Sequence, residues 1–280
     1  MEKPKEFNKS QIDSTGLVAG QNPKSKIQHP VLFVGAGPGD PELITVKGQK
    51  ALQESDLVIY AGSLIPKALL KWTRPATKTI SSAPMNLNEI VKEIETAYAE
   101  GKRVVRLHTG DPSLYGAIFE QMTALHERSI PYTVIPGVTA AFAAAAAMGI
   151  EYTLPEISQT LILTRMAGRT PVPQLENLAS LAQHQTSMVI YLSISLVDEA
   201  AKILVDSYGA DSACAVAYRV SQPEERIIFT RLKDLAQTVK VEKITRSALI
   251  IVGKVLDVDH ARLKHRSKLY EKGFEHAYRK

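Results

Sequence analysis

The sequence predicts an α/β protein of two domains, the first built on a mostly parallel sheet and the second on a mixed one. Three observations carry that expectation. From Val31 onward, short apolar runs alternate with helical periods, the pattern of parallel strands covered on both faces. A second series of strands follows an alanine-rich helix, and a short loop joins two of its members as in an antiparallel hairpin. The chain has 280 residues, 45% hydrophobic and 22% charged, which leaves room for one large or two modest globular domains.

Taken in order, Val31–Val34, Asp56–Tyr60, Arg103–Leu107 and Tyr132–Ile135 read as strands, with Lys78–Ile80 a weaker fifth. Between them, Leu87, Ile90, Val91, Ile94 and Tyr98 fall at the spacing of one buried helical face, with Asn86 as cap and Gly101 as stop. The alanine-rich helix runs over Phe142–Met148. Beyond it Thr160–Thr164, Ser187–Leu192, Ala213–Tyr218, Arg226–Thr230 and Ala248–Val252 read as strands, the hairpin loop containing Ser221-Gln222-Pro223. The expected divisions are a mobile N-terminal arm over 1–30, α/β domains over 31–140 and 141–256, and a basic tail over 257–280.

Composition excludes several classes. Cys214 is the single cysteine, so neither an internal disulfide nor a cysteine zinc cluster is available, and a reducing compartment fits. The longest apolar stretch, Ala140–Met148, is far below the ~20 residues a membrane span needs, and the N-terminus has no apolar core of a signal peptide. A cytoplasmic protein without membrane attachment is expected. The net charge of +5 sits on the two ends, because residues 31–256 hold 22 basic and 22 acidic side chains. A neutral body argues against a nucleic-acid surface. The histidines are scattered, no pair has metal-ligand spacing, and no metal is expected. Trp72 and the tyrosines read as packing residues, with Tyr60 and Tyr115 adjoining the loops described next.

Two strand-to-helix loops share Gly-Asp-Pro. The first is Gly35-Ala36-Gly37-Pro38-Gly39-Asp40-Pro41 and the second is Thr109-Gly110-Asp111-Pro112. Asp as helix cap with Pro at the first helical position accounts for either one alone. Two such loops at strand C-terminal ends of one sheet instead put carboxylates and glycine backbone on the rim where α/β proteins bind ligands. The glycines of the first loop have GxGxG spacing, Pro38 removes an amide, and no acid follows ~20 residues on, so the dinucleotide pattern fails. No Gly-Lys-Ser/Thr follows, which excludes a P-loop. A third element, Pro136-Gly137-Val138-Thr139-Ala140-Ala141, opens the alanine-rich helix, with the Thr139 hydroxyl as either cap or ligand contact.

GAGPGDPELITVKGQKAL, YAGSLIP, RLHTGDPSLYGA and PGVTAA, in this order and spacing, resemble the tetrapyrrole methylase family from about Val31 to Val255. The resemblance implies two α/β domains with S-adenosylmethionine in the cleft between them. YAGSLIP with HTGDPSLYGAIFEQ is most similar to the branch that methylates C-11 of precorrin-4 or cobalt-precorrin-4 in cobalamin biosynthesis. Uroporphyrinogen III methylases carry Tyr-Asp-Arg-Leu where this chain has Tyr60-Ala61-Gly62-Ser63, so an acid given a proton-accepting role there is Ala61 here.

By motif, the resemblance implies cofactor contacts at Pro38, Thr109, Gly110, Asp111, Leu114, Thr139 and Ala140, and in the second domain at Leu192, Val220 and Ala248. Leu192 and Val220 stand where relatives have Met and Gly. Gly37, Pro38, Gly39 and Asp40 position the reacting groups, and no catalytic acid or base is assigned. A carboxylate-edged macrocycle calls for arginines, and Arg106, Arg165 and Arg219 lie near strand ends, with Tyr115 able to flank a ring. For each arginine a solvated charge or a structural salt bridge is the competing reading. A homodimer is implied by the resemblance alone. The rival functions are methylation of another ring carbon (precorrin-2 C-20, precorrin-3B C-17 or uroporphyrinogen III), a non-catalytic tetrapyrrole- or S-adenosylmethionine-binding module, and a nucleotide-dependent oxidoreductase, which the loop spacing disfavours.

Overall fold

A five-stranded parallel sheet organises the N-terminal half of the chain, and a five-stranded mixed sheet organises the C-terminal half. The computed structural model describes residues 28–62 and 65–258, together with Ser267, Phe274 and Glu275. The expected arm up to residue 27, the tail beyond 258 (those three residues apart) and two residues of YAGSLIP, Ser63 and Leu64, lie outside the described residues. The chain divides into two compact units, Met1–Val138 and Thr139–Lys280.

In the first unit the strands are β1 (Val31–Gly35), β2 (Leu57–Tyr60), β3 (Lys78–Ser81), β4 (Val104–His108) and β5 (Tyr132–Ile135), ordered β3-β2-β4-β1-β5. Every pairing is parallel, so all five strands end on one rim. Helices α1 (Val46–Glu54), α2 (Leu87–Ala99) and α3 (Ile118–Glu127) alternate with them. The strands are apolar on both sides because two cores flank the sheet. Phe33, Ile59 and Val104 face α2 and α3, whereas Val34, Val58 and Leu107 pack with Leu52 of α1 and with Leu69. Asn86 caps α2 through a reciprocal box with Glu89, and Ile90, Val91, Ile94 and Ala97 form its buried stripe.

Neither Gly-Asp-Pro caps an α-helix. Asp40 caps one 3-10 turn, Pro41–Leu43, and α1 begins later behind Thr45, whose hydroxyl takes the Gly48 amide. After Asp111, Ala117 adopts a left-handed conformation before α3 starts at Ile118.

In the second unit α4 (Ala140–Met148) leads into β6 (Leu161–Arg165), α5 (Leu178–Ala182), β7 (Ser187–Tyr191), α6 (Val197–Tyr208), β8 (Ala213–Tyr218), β9 (Arg226–Arg231), α7 (Leu235–Val241) and β10 (Ala248–Val252). The order is β6-β7-β10-β8-β9, with β6 and β7 parallel and the predicted β8–β9 hairpin antiparallel. Helices α5, α6 and α7 cover one face, and α4 covers the other. Ala141, Ala143 and Ala144 of α4 are buried against Val189, Ala215, Ala217 and Ile251, small side chains meeting small ones so that helix and sheet approach closely. Among the described residues no helix is long and apolar enough to cross a membrane.

Candidate functional site

On the rim of the first unit, three loops are fastened to one another through backbone and one carboxylate. Ala36 N–H donates to the His108 carbonyl at 2.7 Å, and Gly37 and Gly110 exchange amide bonds at 3.2 and 2.8 Å, so the first and second loops pair like a fragment of sheet. The third loop joins them through Asp111, whose Oδ2 accepts the Gly137 amide at 2.9 Å. Oδ1 of Asp111 takes the Ser113 amide at 2.8 Å and the Ser113 hydroxyl at 2.5 Å. Burial raises the Asp111 pKa, but these hydrogen bonds outweigh it and hold the carboxyl below its ordinary value.

Glycine is required where the three loops meet. A Cβ on Gly137 would stand 2.1 Å from the Gly110 carbonyl oxygen and 2.8 Å from Gly35 Cα, so only bare backbone fits. The first loop is also held at its far end, where Trp72 Nε1 donates to the Pro41 carbonyl at 3.1 Å, a role the packing expectation for Trp72 omitted. Gly37, Pro38 and Gly39 are buried, Asp40 accepts the Glu42 amide at 2.8 Å, and Thr109, Gly110, Asp111 and Leu114 are half-buried. Tyr115 is 42% exposed at a left-handed φ of 57°. The first-unit candidates, apart from Arg106, therefore lie on one rim.

Arg106 is not on that rim, which corrects its reading as a substrate-facing arginine. It sits in the body of β4, 5% exposed, with Nε donating to Gln121 Oε1 at 2.9 Å and an Nη to the Ile59 carbonyl at 3.2 Å. The parallel pairing that buries β4 on both faces turns Arg106 into the α2–α3 core. Burial lowers its pKa to about 10, still cationic at neutral pH. His108, two residues on and therefore on the same face, is 4% exposed, stacks on Phe33, and has an Nε2 without a hydrogen-bond partner. Burial, with Arg106 adding to it, lowers the His108 pKa to about 3, so the ring stays neutral and cannot act as an acid near pH 7.

In the second unit the candidates gather at one end of the mixed sheet, where β6, β7 and β8 finish and β10 begins. Arg165 pairs with Tyr191 and Ala248 with Tyr218, and the Arg219 amide donates to the Ser247 carbonyl at 2.9 Å. Left-handed backbone is concentrated here: Leu192 at φ 54°, Arg219 at 45°, Ser221 at 61° and Ser247 at 54°. Four non-glycine residues in that conformation on one rim are a mark of a functional edge. The predicted strand over Ser187–Leu192 stops at Tyr191 because Leu192 turns out of it, leaving its side chain 65% exposed. Val220 and Ala248 are buried, on opposite faces of the sheet.

Arg165 and Arg219 are both engaged. The Arg165 guanidinium donates to the carbonyls of Met166, Thr170 and Pro171 and so folds the loop after β6. Arg219 lies over the Tyr218 ring and meets Glu224 at 3.3 Å, leaving its side chain 31% exposed.

Thr139 stands at the N-cap position of α4 but makes no capping bond; its hydroxyl lies 2.7 Å from the Tyr191 hydroxyl. Tyr191 was missed in the sequence because it lies 52 residues from Thr139 and carries no local pattern.

The fold and rims define the class: a two-unit α/β protein with glycine-rich loops at strand ends. Residues 30–236 match the family of tetrapyrrole (corrin/porphyrin) methylases, and the chain belongs to that family. It is 50% identical over 251 residues to the cobalt-precorrin-4 C(11)-methyltransferase of Methanocaldococcus jannaschii, covering 89% of this chain and 96% of that one. The precorrin-4 C(11)-methyltransferase of Pseudomonas aeruginosa is 45% identical, covering 89% and 98% respectively. Among solved structures, a cobalt precorrin-4 methyltransferase of cobalamin biosynthesis superposes with a TM-score of 0.80 at 43% identity, over 82% of this chain and 96% of that one. The uroporphyrin-III C-methyltransferase of Thermus thermophilus, complexed with S-adenosylhomocysteine, gives 0.69 at 27% identity, over 82% and 100%.

Proposed function

We propose that this chain transfers the methyl group of S-adenosylmethionine to C-11 of precorrin-4 or cobalt-precorrin-4. The observation that carries the reading is the 50% identity, over 89% of the chain, to an enzyme named for that reaction. The proposed cofactor contacts are, within the first unit, Pro38, Thr109, Gly110, Asp111 and Leu114, and, within the second, Thr139, Ala140, Leu192, Val220 and Ala248.

The residues fit a donor that needs holding more than it needs acid–base help. When bound, S-adenosylmethionine supplies a methyl group already activated by a sulfonium. The two loop carboxylates, Asp40 and Asp111, hold backbone amides, so they shape the loops. His108 is neutral and buried, and Ala61 has no proton to exchange. What remains for the protein is orientation and exclusion of water, and alignment alone supplies ~7–11 kcal/mol of a displacement barrier. Rigid backbone at the rim is what that task requires. For the acidic macrocycle we propose Arg219, with Arg165 shaping its loop, and Tyr115 against a ring face.

We further propose a cytoplasmic homodimer. In support of association, large apolar side chains stand in solvent, among them Phe119 at 81% and Leu175 at 84%. In support of a reducing compartment, Cys214 is the single cysteine, so the fold has no internal disulfide to draw on. Sedimentation of the purified chain checks the dimer.

Incubation with methyl-labelled S-adenosylmethionine and precorrin-4, with and without cobalt, tests the main reading. Carbon NMR is expected to find the label on C-11. Label on another ring carbon favours a sister activity, and cofactor binding without turnover favours a binding module.

A further inference from the structure

Helix α4 is capped by a residue from outside its own chain segment. Thr139 has the extended backbone of a cap, φ −78° and ψ 151°, yet its hydroxyl takes no first-turn amide. The Tyr191 hydroxyl takes it instead, accepting the Ala141 N–H at 2.9 Å while lying 2.7 Å from Thr139 Oγ1. Tyr152 holds the other side of the same residue, its hydroxyl donating to the Ala141 carbonyl at 2.8 Å. Two half-helical anchors therefore converge on Ala141, one from the sheet and one from the loop behind α4.

The two anchors differ in what else they touch. Tyr152 is 5% exposed, and its hydroxyl bonds the helix body at the Ala141 carbonyl. Tyr191 meets the Thr139 hydroxyl and precedes Leu192, the residue that leaves β7 in left-handed backbone. Its own carbonyl accepts the Ser193 hydroxyl at 2.7 Å, and Ser193 in turn accepts the Met166 amide at 2.8 Å, so the turn after β7 is fixed on both sides. Freed from capping, the buried Thr139 hydroxyl makes one hydrogen bond among the described residues, of the three a hydroxyl can make.

We propose that Tyr191 is a positioning residue for the methyl donor: by capping α4 in place of Thr139, it holds the Thr139 hydroxyl for the ligand and fixes Leu192 beside it. The inference deepens the methyl-transfer reading and rests on it. Tyr191 does not touch reacting atoms; it acts through Thr139.

The test uses the full chain and three variants, Tyr191→Phe, Thr139→Val and the double variant. S-adenosylhomocysteine affinity is measured by calorimetry, and KM and kcat are measured with S-adenosylmethionine. Y191F is expected to weaken binding about tenfold and raise KM equally, the scale of one hydrogen bond, with kcat changed less than about twofold. Because Tyr191 acts through Thr139, the double variant is expected to bind no worse than the weaker single variant. Tyr152→Phe, which also removes one phenol bond to Ala141, is expected to lower the melting temperature while leaving affinity within about twofold. Should Y191F fail to fold, Tyr191→His, which keeps a ring acceptor, replaces it in the same cycle. Wild-type affinity in Y191F, losses that multiply in the double variant, or an equal loss in Y152F would overturn the proposal. Failure of the wild-type chain to bind the ligand overturns the methyl-transfer reading first, and this inference with it.

Discussion

Asp111 holds Gly137 across 26 residues of chain, its Oδ2 accepting the Gly137 amide at 2.9 Å while Oδ1 takes both donors of Ser113. This one carboxylate locks the second and third loops of the first unit together. Asp111→Asn turns an acceptor into a donor facing an amide, and is expected to cost about 1–3 kcal/mol in urea denaturation. The sign with pH follows from the lowered pKa: the carboxylate's contribution is complete above the unfolded-state value and is lost as pH falls through the folded one. Acid titration of wild type against the variant reads it directly.

The close meeting of Gly35, Gly110 and Gly137 sets a second expectation. Gly137→Ala puts a methyl 2.1 Å from the Gly110 carbonyl, and should cost about 3 kcal/mol or weaken the chain beyond folding. Gly149→Ala is the control, because its φ of 65° is left-handed but nothing lies within 4 Å of the added carbon. Its cost is expected near 1 kcal/mol. Equal melting temperatures for the two variants would contradict the packing.

His108 predicts a pH dependence of stability. Its folded pKa is lowered from 6.5 to about 3, so the unfolded chain binds a proton that the folded chain refuses. Stability from this residue is complete above pH ~6.5 and declines toward pH 3, with a limiting slope of about 1.4 kcal/mol per pH unit. His108→Phe, which keeps a ring against Phe33, should remove that slope from the difference curve. A curve unchanged by the substitution would show that His108 is not kept neutral by burial.

The three candidate arginines separate into a buried one, Arg106, and two at the rim of the mixed sheet, Arg165 and Arg219. Arg219→Ala is expected to raise the KM for the tetrapyrrole several-fold and flatten its salt dependence. Arg106→Met is expected to change neither beyond about twofold, because its guanidinium is held by Gln121 and Ile59 inside the sheet. Parallel losses of substrate affinity in both variants would restore Arg106 to the site.

Strand and helix periods, the cap at Asn86 and the β8–β9 hairpin were all legible, because each is written among near neighbours along the chain, whereas the reciprocal bond from Glu89 appeared only in the structure. The motif loops were legible as loops at strand C-terminal ends for the same reason. Their local geometry was not: Asp40 and Asp111 read as helix caps, whereas one caps a single 3-10 turn and the other ties loops together. Which oxygen meets which amide depends on where neighbouring strands end.

By itself the sequence determined the alternation of elements, the neutral body, the glycine loops at strand ends and the family to which they belong. Tertiary structure alone decided that Arg106 is enclosed, that His108 stays neutral near pH 7, and that Tyr191 caps a helix 50 residues away. The reason is physical. Periodicity and turn chemistry act between near neighbours along the chain, whereas burial and hydrogen-bond partners are set by strand order and register, which bring distant residues within 3 Å.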